Sequence, residues 1–565
     1  MKQLPIGIDL GTTNSLIAVF ENGAPRLISN ALGSALTPSV VSDLDGRLIV
    51  GEAARDRLAT HPRDTAAVFK RAMGAKTQFK IGTRQMGAEE LSALVLRKLK
   101  ADAEADLGQP VRDVVVSVPA YFNQGQRQAT MDACRLADLN AVRLINEPTA
   151  AALAYGLQDR DGESRFLIFD LGGGTFDITV LDHFEGVMEV KASSGDAQLG
   201  GEDFTTALAK TMIETAGIEW SDLSRDEQIQ AKHLADGAKR RLGLSETHDV
   251  TLRLKRGETA LTLTREMFEA ACAPQMRRLR RPIERCFYDS DLAASEMDRI
   301  ILVGGATRMP MIRQFVTRQF GMFPNSSIDP DHAVALGAAV QAALVAQDAA
   351  LDDVVMTDVS PFSVGLSTAE ALGNGRFVDG LFTPLIERNT PLPASRERYF
   401  STMQDNQTGL RVEVYQGEAP KVADNVLLGE FLLSVPRAPA GQEGMTVRLS
   451  YDGSGLIEVE ATTANDKGGL VIKQNAPGLT EAEIAKRLKA MEKLKEHPRD
   501  AEENTALLAR IRRLYEMASG DDRTMLSQIL VRFEAALADQ DPQEIDRARG
   551  EISRQLDAID DYYVS

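Results

Sequence analysis

The chain has 565 residues, of which 43% are hydrophobic and 26% are charged, a composition typical of globular proteins. This length predicts several domains rather than a single core. The formal net charge of −18 argues against a nucleic-acid-binding protein with a basic surface, and no apolar run approaches the roughly 20 residues that cross a bilayer, so we expect neither nucleic acid nor membrane as a partner.

The first predicted element is an apolar strand that ends at Asp9 and turns through glycine and threonine into a second strand. The same order returns after a later apolar strand, which ends at Asp170. Glycine turns let backbone N–H groups approach phosphate oxygens, and threonine hydroxyls add donors. One copy alone is compatible with an ordinary turn, but two copies predict a duplicated fold that clamps a nucleotide triphosphate. The turn residues are Gly11, Thr12 and Thr13 in the first copy and Gly172, Gly173, Gly174 and Thr175 in the second.

Strand and helix patterns alternate as far as about residue 345, which predicts an α/β fold. Asp113–Val118 and Arg299–Gly304 have the pattern of buried strands. Tyr121–Leu139 and the alanine-rich segment Ala333–Ala346 are predicted helices. The cysteines lack a metal-binding spacing and are predicted to be buried free thiols in a reducing compartment; they are Cys134, Cys272 and Cys286.

The pattern changes after this region. A short apolar run between acidic residues, Val354–Met356, predicts a linker. Alternation with a period of two then predicts an antiparallel β-sandwich, and a capping box of Thr480 and Glu483 marks the start of a helical tail. The predicted domains are 1–348 for nucleotide binding, 349–358 for the linker, 359–478 for the sandwich and 479–565 for the helical tail.

Three segments resemble the nucleotide motifs of the DnaK family, the heat shock protein 70 family: Ile8–Ser15, Phe169–Asp177 and Ile301–Pro310. The similarity covers nearly the whole chain. The short stretch between Lys70 and Pro119 and the short helical tail look closer to the HscC-type specialised bacterial members. The resemblance implies an α/β actin-like ATPase domain with a duplicated core, then an antiparallel β-sandwich and a C-terminal α-helical lid. It also implies an ATP-dependent molecular chaperone of the bacterial cytoplasm.

The resemblance assigns catalytic roles in ATP hydrolysis, an ATP/ADP cofactor with Mg²⁺, and a bound K⁺. Asp9, Glu147 and Asp170 would order water around Mg²⁺, and Asp177 would lie near the attacking water and K⁺. Without the resemblance, the sequence favours a solvated surface charge for Lys70 and the start of a helix before Pro148 for Glu147. The implied catalytic residues are Asp9, Lys70, Glu147, Asp170, Thr175 and Asp177.

The family pattern also implies where the phosphates, ribose and base bind. Alanine at 306, glycine at 243 and aspartate at 236 stand where the family commonly has serine, serine and glutamate, so we predict weaker nucleotide affinity. The implied nucleotide-binding residues are Gly11, Thr12, Thr13, Gly172, Gly173, Gly174, Gly200, Gly201, Asp236, Lys239, Arg240, Gly304, Gly305, Arg308 and Asp331.

The resemblance makes the sandwich a binding domain for extended peptides. Ala369 and Met403 would arch over the peptide, and Leu410, where a smaller valine is common, would narrow the pocket. The alternative is that these apolar residues form a plain sandwich core. Ala371–Pro384 reads as a loop longer than is usual for the family, and the short lid predicts faster peptide exchange. The implied pocket residues are Leu366, Phe400, Leu410, Val412 and Leu456.

Coupling between the two sites would run through the linker, which in the family docks as an added strand on the ATPase domain; the alternative is a simple tether. Pro119 and Arg127 look like the family's relay between nucleotide and linker. The implied partners are unfolded or client polypeptides, a J-domain cochaperone and a nucleotide exchange factor. Residues matching J-domain and linker positions are Arg143, Asn146, Thr149, Val354, Val355 and Asp358.

Two other functions were weighed against a general chaperone. An actin-like or sugar-kinase-like protein would explain residues 1–345 but not the sandwich and tail. An ATP-gated regulatory binder of one specific client would share every motif. The sequence alone leaves this second alternative open.

Overall fold

The computed structural model describes the chain in the following ranges: 4–156, 163–184, 187–255, 257–325, 327–348, 351, 355–373, 376–452, 455–473, 481–491, 495, 497–518 and 520–564. The predicted linker residue Val354 and the predicted helix cap Thr480 lie outside the described residues. Among the described residues, no helix combines the length and apolar character needed to cross a membrane. The three cysteines are buried and free, as predicted.

The first lobe is built on a sheet of order β11-β10-β1-β2-β3, with β4 beside β2. Its elements are β1 (Ile6–Asp9), β2 (Asn14–Glu21), β3 (Ala24–Leu27), β4 (Thr37–Pro38), β5 (Val40–Leu44), β6 (Arg47–Val50), α1 (Glu52–Arg55), β7 (Thr65–Ala67), β8 (Phe79–Ile81), β9 (Arg84–Met86), α2 (Ala88–Leu107), β10 (Asp113–Val118), α3 (Gln124–Leu136), β11 (Asn140–Asn146) and α4 (Glu147–Gly156). Helix α3 begins later than predicted because Asn123 caps it: its Oδ1 accepts from the N–H of Gln126 at 3.0 Å.

The second lobe has a sheet of order β17-β12-β13-β14-β18. Its elements are β12 (Ser164–Leu171), β13 (Phe176–Phe184), β14 (Val187–Asp196), α5 (Gly201–Thr215), α6 (Arg225–Leu242), β15 (Thr247–Leu254), β16 (Gly257–Thr264), α7 (Arg265–Ala271), α8 (Ala273–Arg278), α9 (Arg280–Ser290), β17 (Arg299–Val303), α10 (Pro310–Phe320) and β18 (Val355–Thr357). Between α10 and β18, the chain returns to the first lobe as α11 (Ala333–Val345).

The two lobe sheets repeat one arrangement. In the first, β1 pairs in parallel with β10 and antiparallel with β2, which pairs antiparallel with β3. In the second, β12 pairs in parallel with β17 and antiparallel with β13, which pairs antiparallel with β14. The alanine-rich helix α11 packs against α4, β1 and β2, because its small side chains permit close approach. The repeat therefore brings the turns after Asp9 and Asp170 to equivalent positions.

The remaining elements are β19 (Val364–Gly373), β20 (Arg376–Ile386), β21 (Ala394–Ser401), β22 (Gly409–Gln416), β23 (Val426–Ser434), β24 (Gly444–Tyr451), β25 (Leu456–Thr462), β26 (Lys467–Lys473), α12 (Glu481–Met491), α13 (Glu502–Met517), α14 (Gly520–Asp539) and α15 (Pro542–Val564). The strands form two antiparallel sheets, β20-β19-β22-β23 and β21-β24-β25-β26, around a shared apolar core. Helices α13 to α15 form a bundle around Leu514, Phe533 and Leu556. The segment expected to be a long loop, Ala371–Pro384, instead extends the β19–β20 hairpin, with Ala371 paired to Phe377.

The predicted linker adds a strand to the second lobe. Strand β18 pairs in parallel with β14, with Val355 opposite Val187 and Thr357 opposite Glu189. The threonine hydroxyl donates to the carbonyl oxygen of Met188 at 3.5 Å. Two strands, β14 and β13, separate the linker strand from β12, the strand that ends at the second nucleotide turn.

Candidate functional site

A cavity of about 450 Å³ lies between the two lobes and is lined by both glycine turns. The turns approach each other closely. A Cβ added to Gly173 would lie 1.9 Å from the hydroxyl of Thr13, and one added to Gly174 would lie 2.6 Å from that of Thr12. Any side chain at these two positions would therefore push the turns apart, which explains why glycine is needed there. The structure brings the two predicted turns together at one cleft.

Three carboxylates lie at or beside the base of this cleft: Asp170 and Asp177 are buried, and Asp9 is half-buried. Burial raises the pKa of Asp9 to about 7, with repulsion from Glu147 as the second cause, although the Ser117 hydroxyl donates to it at 2.8 Å. Burial and the same neighbour raise the pKa of Asp177 to about 8. Asp170 is also raised well above its usual pKa, first by burial and then by Glu147. This cluster of desolvated carboxylates favours a bound cation, because a cation restores the charged form of each one.

The donor set fits hydrated Mg²⁺. The Oδ1 atom of Asp177 is buried and has no hydrogen-bond partner within the described part of the chain. Among the described residues, no group of three His, Cys, Asp or Glu side chains is arranged to ligate a metal directly. Mg²⁺ usually keeps several of its waters, and the predicted role of Asp9, Glu147 and Asp170 is to hold that hydrated ion.

Lys70 lies inside the cleft, so its interpretation as a solvated surface charge is wrong. Its Nζ donates to Glu147 Oε1 at 2.7 Å, and the two side chains are only 5% and 11% exposed. The ammonium also lies 5.6 Å from the ring centre of Phe122. Glu147 is the first residue of α4 as well, so the helix-start interpretation and the site interpretation hold together.

Arg71 and Asp203 are site residues that the sequence analysis missed. The Arg71 Nε and Nη2 atoms donate to the carbonyl oxygen of Gly174 at 3.0 and 2.8 Å, and Nη2 also pairs with Asp203 at 2.5 Å. The Asp203 carboxylate accepts from the N–H of Gly200 at 2.8 Å, at the start of α5. This pair fixes the second glycine turn. The sequence signal for Arg71 is its position next to Lys70.

The far end of the cavity is lined by charged side chains that are already paired. Lys239 Nζ donates to Thr205 Oγ1 at 2.6 Å and pairs with Asp236 at 2.9 Å. Arg308 pairs with Asp331 at 2.9 Å and with Asp329 at 2.5 Å. Glu202 and Leu244 also line the cavity, although the sequence did not predict them. The residues predicted for the ribose and base that do line it are Asp236, Lys239, Arg240, Gly304, Gly305, Arg308 and Asp331, together with Gly201.

Gly304 is the residue at which this end of the cavity needs glycine. Its φ is +82°, and an added Cβ would lie 2.5 Å from the carbonyl oxygen of Leu171. The strand β17 therefore reaches the cavity with its backbone against the second nucleotide turn. Gly200 approaches that turn similarly, since its Cβ would lie 2.5 Å from the nitrogen of Gly174.

A model of the protein family described as Hsp70 protein matches residues 5–560. The chain belongs to the Hsp70 family. This family consists of ATP-binding chaperones that act in protein folding and the stress response. Its members are ATPases that bind ATP or ADP with Mg²⁺, and they generally bind client peptides and co-chaperones.

A hydrogen-bonded chain connects the end of the Hsp70 linker to the nucleotide cleft. Asp358 Oδ2 accepts from Asn146 Nδ2 at 3.0 Å and from the Thr149 hydroxyl at 3.4 Å. The Oδ1 of Asn146 in turn accepts from Arg127 at 2.7 Å. Asn146 directly precedes Glu147, so a displacement of Asp358 bears on a residue next to the cleft.

The other predicted coupling residues surround this chain. Arg127 is buried and donates to the carbonyl oxygens of Ala120 and Phe122, just after Pro119. The positive charge of Arg143 favours the ionised form of Asp358, although burial raises the pKa of that carboxyl overall. The structure thus brings five predicted residues and Pro119 to one region, while their roles remain predictions.

An ion pair to α9 also joins the sandwich to the second lobe. Arg388 donates two hydrogen bonds of 3.0 Å to Asp289 and one of 2.9 Å to Glu418. The neighbouring Asn389 donates to Asp289 at 2.8 Å and accepts from the backbone N–H of Ser193 at 3.0 Å. The sequence analysis did not identify these contacts, which hold the β20–β21 connection against the second lobe.

The predicted peptide pocket is closed in this structure. Leu366, Val412 and Leu456 are at most 1% exposed, and Leu410 is 8% exposed. Of these four, Leu366, Leu410 and Val412 pack within the sandwich core, against which the half-buried Phe400 also packs. Ala369 is exposed and Met403 half-buried. The assignment of these residues to a peptide pocket remains a prediction.

Proposed function

We propose that this Hsp70-family protein hydrolyses ATP and uses the nucleotide to control how its sandwich domain holds extended apolar segments of unfolded or client proteins. The observation that carries the proposal is β18, the linker strand paired with β14 in the sheet that contains the second nucleotide turn. A two-state element shared by two sites is what couples their binding equilibria. Release of this strand would change both the nucleotide lobe and the attached sandwich.

In the proposed reaction, the chain's residues position and neutralise rather than form covalent intermediates. The Lys70 ammonium, held by Glu147, orients the attacking water and stabilises charge on the terminal phosphate. The hydroxyls of Thr12, Thr13 and Thr175 hold phosphate oxygens. Bound Mg²⁺ supplies positive charge to the phosphates, and K⁺ would bind beside Asp177.

The docked linker corresponds in this proposal to the state that exchanges peptide readily. The sandwich core then contains Leu366, Leu410 and Val412 without an open pocket. A peptide that enters this state would have to displace these side chains, so it would be held weakly, and hydrolysis would release β18 from β14 and let the sandwich retain the peptide. Peptide recognition would combine backbone hydrogen bonds, which tolerate many sequences, with one apolar pocket.

We further propose that a J-domain cochaperone binds near Arg143, Asn146, Thr149 and Asp358, and that a nucleotide exchange factor acts on the cleft. We also propose that α13 to α15 form a short lid like that of the HscC-type members and that the protein acts in a bacterial cytoplasm. A second candidate is a regulatory binder of one client. Leu410, larger than the usual valine, favours this narrower choice of peptide.

The test is ATP hydrolysis by the full chain with and without an extended apolar peptide, alongside peptide dissociation with ATP and with ADP. We expect peptide to stimulate hydrolysis and ATP to speed peptide release. An absence of both effects would contradict the proposal. Binding to a peptide array then separates the two candidates, because a general chaperone binds many apolar sequences and a dedicated regulator binds few.

A further inference from the structure

The turn between α14 and α15 contacts the sandwich through one glutamine side chain. Gln540 Nε2 donates to the carbonyl oxygen of Glu397 at 2.8 Å, and its Oε1 accepts from the Glu397 N–H at 3.2 Å. The residue has a φ of +58°, and it is only 6% exposed. One side chain therefore satisfies both backbone groups of a single residue in β21.

This contact uses a free edge of the sandwich. Strand β21 is the first strand of the sheet β21-β24-β25-β26, so its outer backbone groups have no neighbouring strand within that sheet. A glutamine amide carries the same donor and acceptor as a peptide group, so Gln540 takes the place of one residue of an added strand. Next to it, burial lowers the pKa of Arg396, and the negative charge of Asp541 partly offsets this by favouring the charged form.

The same helical bundle also reaches the nucleotide-binding half. Arg547, in α15, lies 3.7 Å from Asp291, which follows α9. Both side chains are exposed, so this ion pair contributes little by itself. The position of the ion pair matters more than its strength. It means that the bundle contacts both the sandwich and the second lobe while the linker strand β18 is docked on β14.

We propose that the α14–α15 turn clamps the linker-docked arrangement, with Gln540 seated on the edge of β21 so that Arg547 meets Asp291. The docking surface is the outer edge of β21, and its occupant is the turn Gln540–Asp541 of this same chain. A contact that exists only in one of two arrangements shifts the population toward that arrangement by its own free energy. The proposal rests on the proposed function only for its effect on peptide release.

The test uses the full chain with ATP and compares Gln540→Ala with Gln543→Ala, an exposed glutamine of the same connection. Hydrogen exchange is followed at the amide of Glu397 and at the amides of Val355–Thr357. We expect Gln540→Ala to speed exchange about fivefold at Glu397 and about threefold in β18, and to slow peptide release with ATP about threefold. Gln543→Ala should change none of these.

Two more variants separate amide pairing from simple packing. Gln540→Glu keeps the side-chain size and the acceptor but loses the donor to the Glu397 carbonyl oxygen, so it should behave like Gln540→Ala. Arg547→Ala should weaken docking only slightly, because its ion pair is exposed, and should have no further effect when combined with Gln540→Ala, because Gln540 places the whole bundle, Arg547 included, against the second lobe.

Unchanged exchange at Glu397 in Gln540→Ala would overturn the clamp, and so would faster exchange at Glu397 with none in β18. Fully additive effects of the Gln540 and Arg547 variants would also contradict it. If wild-type peptide release ignores ATP, the proposed function fails, but the exchange measurements still decide whether the turn holds the docked arrangement.

Discussion

The nucleotide cleft and the predicted peptide pocket differ in how much of each site is already formed. The cleft is an open cavity in which lysine, arginine and carboxylate side chains are held by hydrogen bonds before any nucleotide binds. The pocket residues are instead packed into the sandwich core. Charged groups cannot collapse into a core without partners, whereas apolar groups readily do so. We therefore expect the cleft to keep its shape without ligand and the predicted peptide pocket to need opening.

We expect the largest effect from a substitution in the preformed nucleotide cleft. Lys70→Ala should lower the rate of ATP hydrolysis by about 10²–10³-fold, because it removes a buried cation that stabilises developing charge, while nucleotide still binds. Single-turnover hydrolysis and calorimetric binding of ADP measure the two quantities. Lys76→Ala, at an exposed lysine nearby, is the control. Hydrolysis within threefold of wild type would remove Lys70 from the catalytic role.

Asp358→Asn tests the connection between the two sites. It keeps the shape of a side chain that accepts from Asn146 and Thr149 but removes its charge near Arg127 and Arg143. We expect peptide stimulation of hydrolysis to fall about tenfold with basal hydrolysis unchanged, since hydrogen bonds to charged groups are the stronger ones. Steady-state hydrolysis over a peptide titration measures this. Full stimulation would leave the linker as a tether.

Leu410→Val tests whether this residue of the sandwich only fills the core or also lines the predicted peptide pocket. If this residue only fills the core, removing one methylene lowers stability by about 1 kcal/mol and leaves peptide binding alone. If it also lines the pocket, as predicted, affinity for peptides with a large apolar residue rises about threefold. Fluorescence anisotropy with a leucine-centred peptide separates the outcomes, with denaturant unfolding recorded on the same sample.

Ala306→Ser tests whether the cleft binds nucleotide weakly for want of a hydroxyl. Ala306 is buried and lines the cavity beside Gly201. A restored hydroxyl should strengthen ADP binding about threefold to fivefold, the worth of one net hydrogen bond. Calorimetry decides this. Nanomolar ADP binding by the wild type, combined with slow release, would contradict the prediction of weak affinity.

The smallest effect concerns the frame of the cleft. Glu227 caps α6, the helix that carries Asp236, Lys239 and Arg240, and hydrogen bonds from Ser224, then from the N–H of Lys255, lower its pKa. A lowered pKa gives stability above the unfolded value of about 4.3, and this stability is lost as the pH falls below it. Losing this partner of the Ser224 capping box should cost about 0.5–1 kcal/mol at pH 7 in Glu227→Gln and less at pH 3, because the contribution is lost as the pH falls through the lowered folded pKa. Thermal unfolding at the two pH values measures the change.

The sequence was most informative where function depends on a local pattern. The two glycine turns and the linker strand are short segments whose chemistry follows from adjacent residues, and the structure places them as predicted. Arg71 meets Asp203 across 132 positions, and Gln540 meets Glu397 across 143. The hydrophobic periodicity of a single segment cannot predict such contacts, because they depend on how complete domains pack together.

The conformation of the sandwich could not be predicted for a related reason. An apolar residue such as Leu366 or Val412 has the same pattern in a strand whether it faces a peptide or a core. The alternation of Gly409–Gln416 predicts only that one face is buried. What covers that face depends on the state of the whole molecule.

Strand β14 provides the sheet edge on which the linker strand β18 docks. In the proposed undocked state, the outer backbone of Val187–Glu189 would be an unpaired sheet edge, the kind of surface on which other chains aggregate. Charged side chains on this strand, Glu189 and Lys191, form an ion pair of 3.2 Å. Such charges disfavour pairing of an edge strand with other chains, so they would protect the edge of β14 in the undocked state.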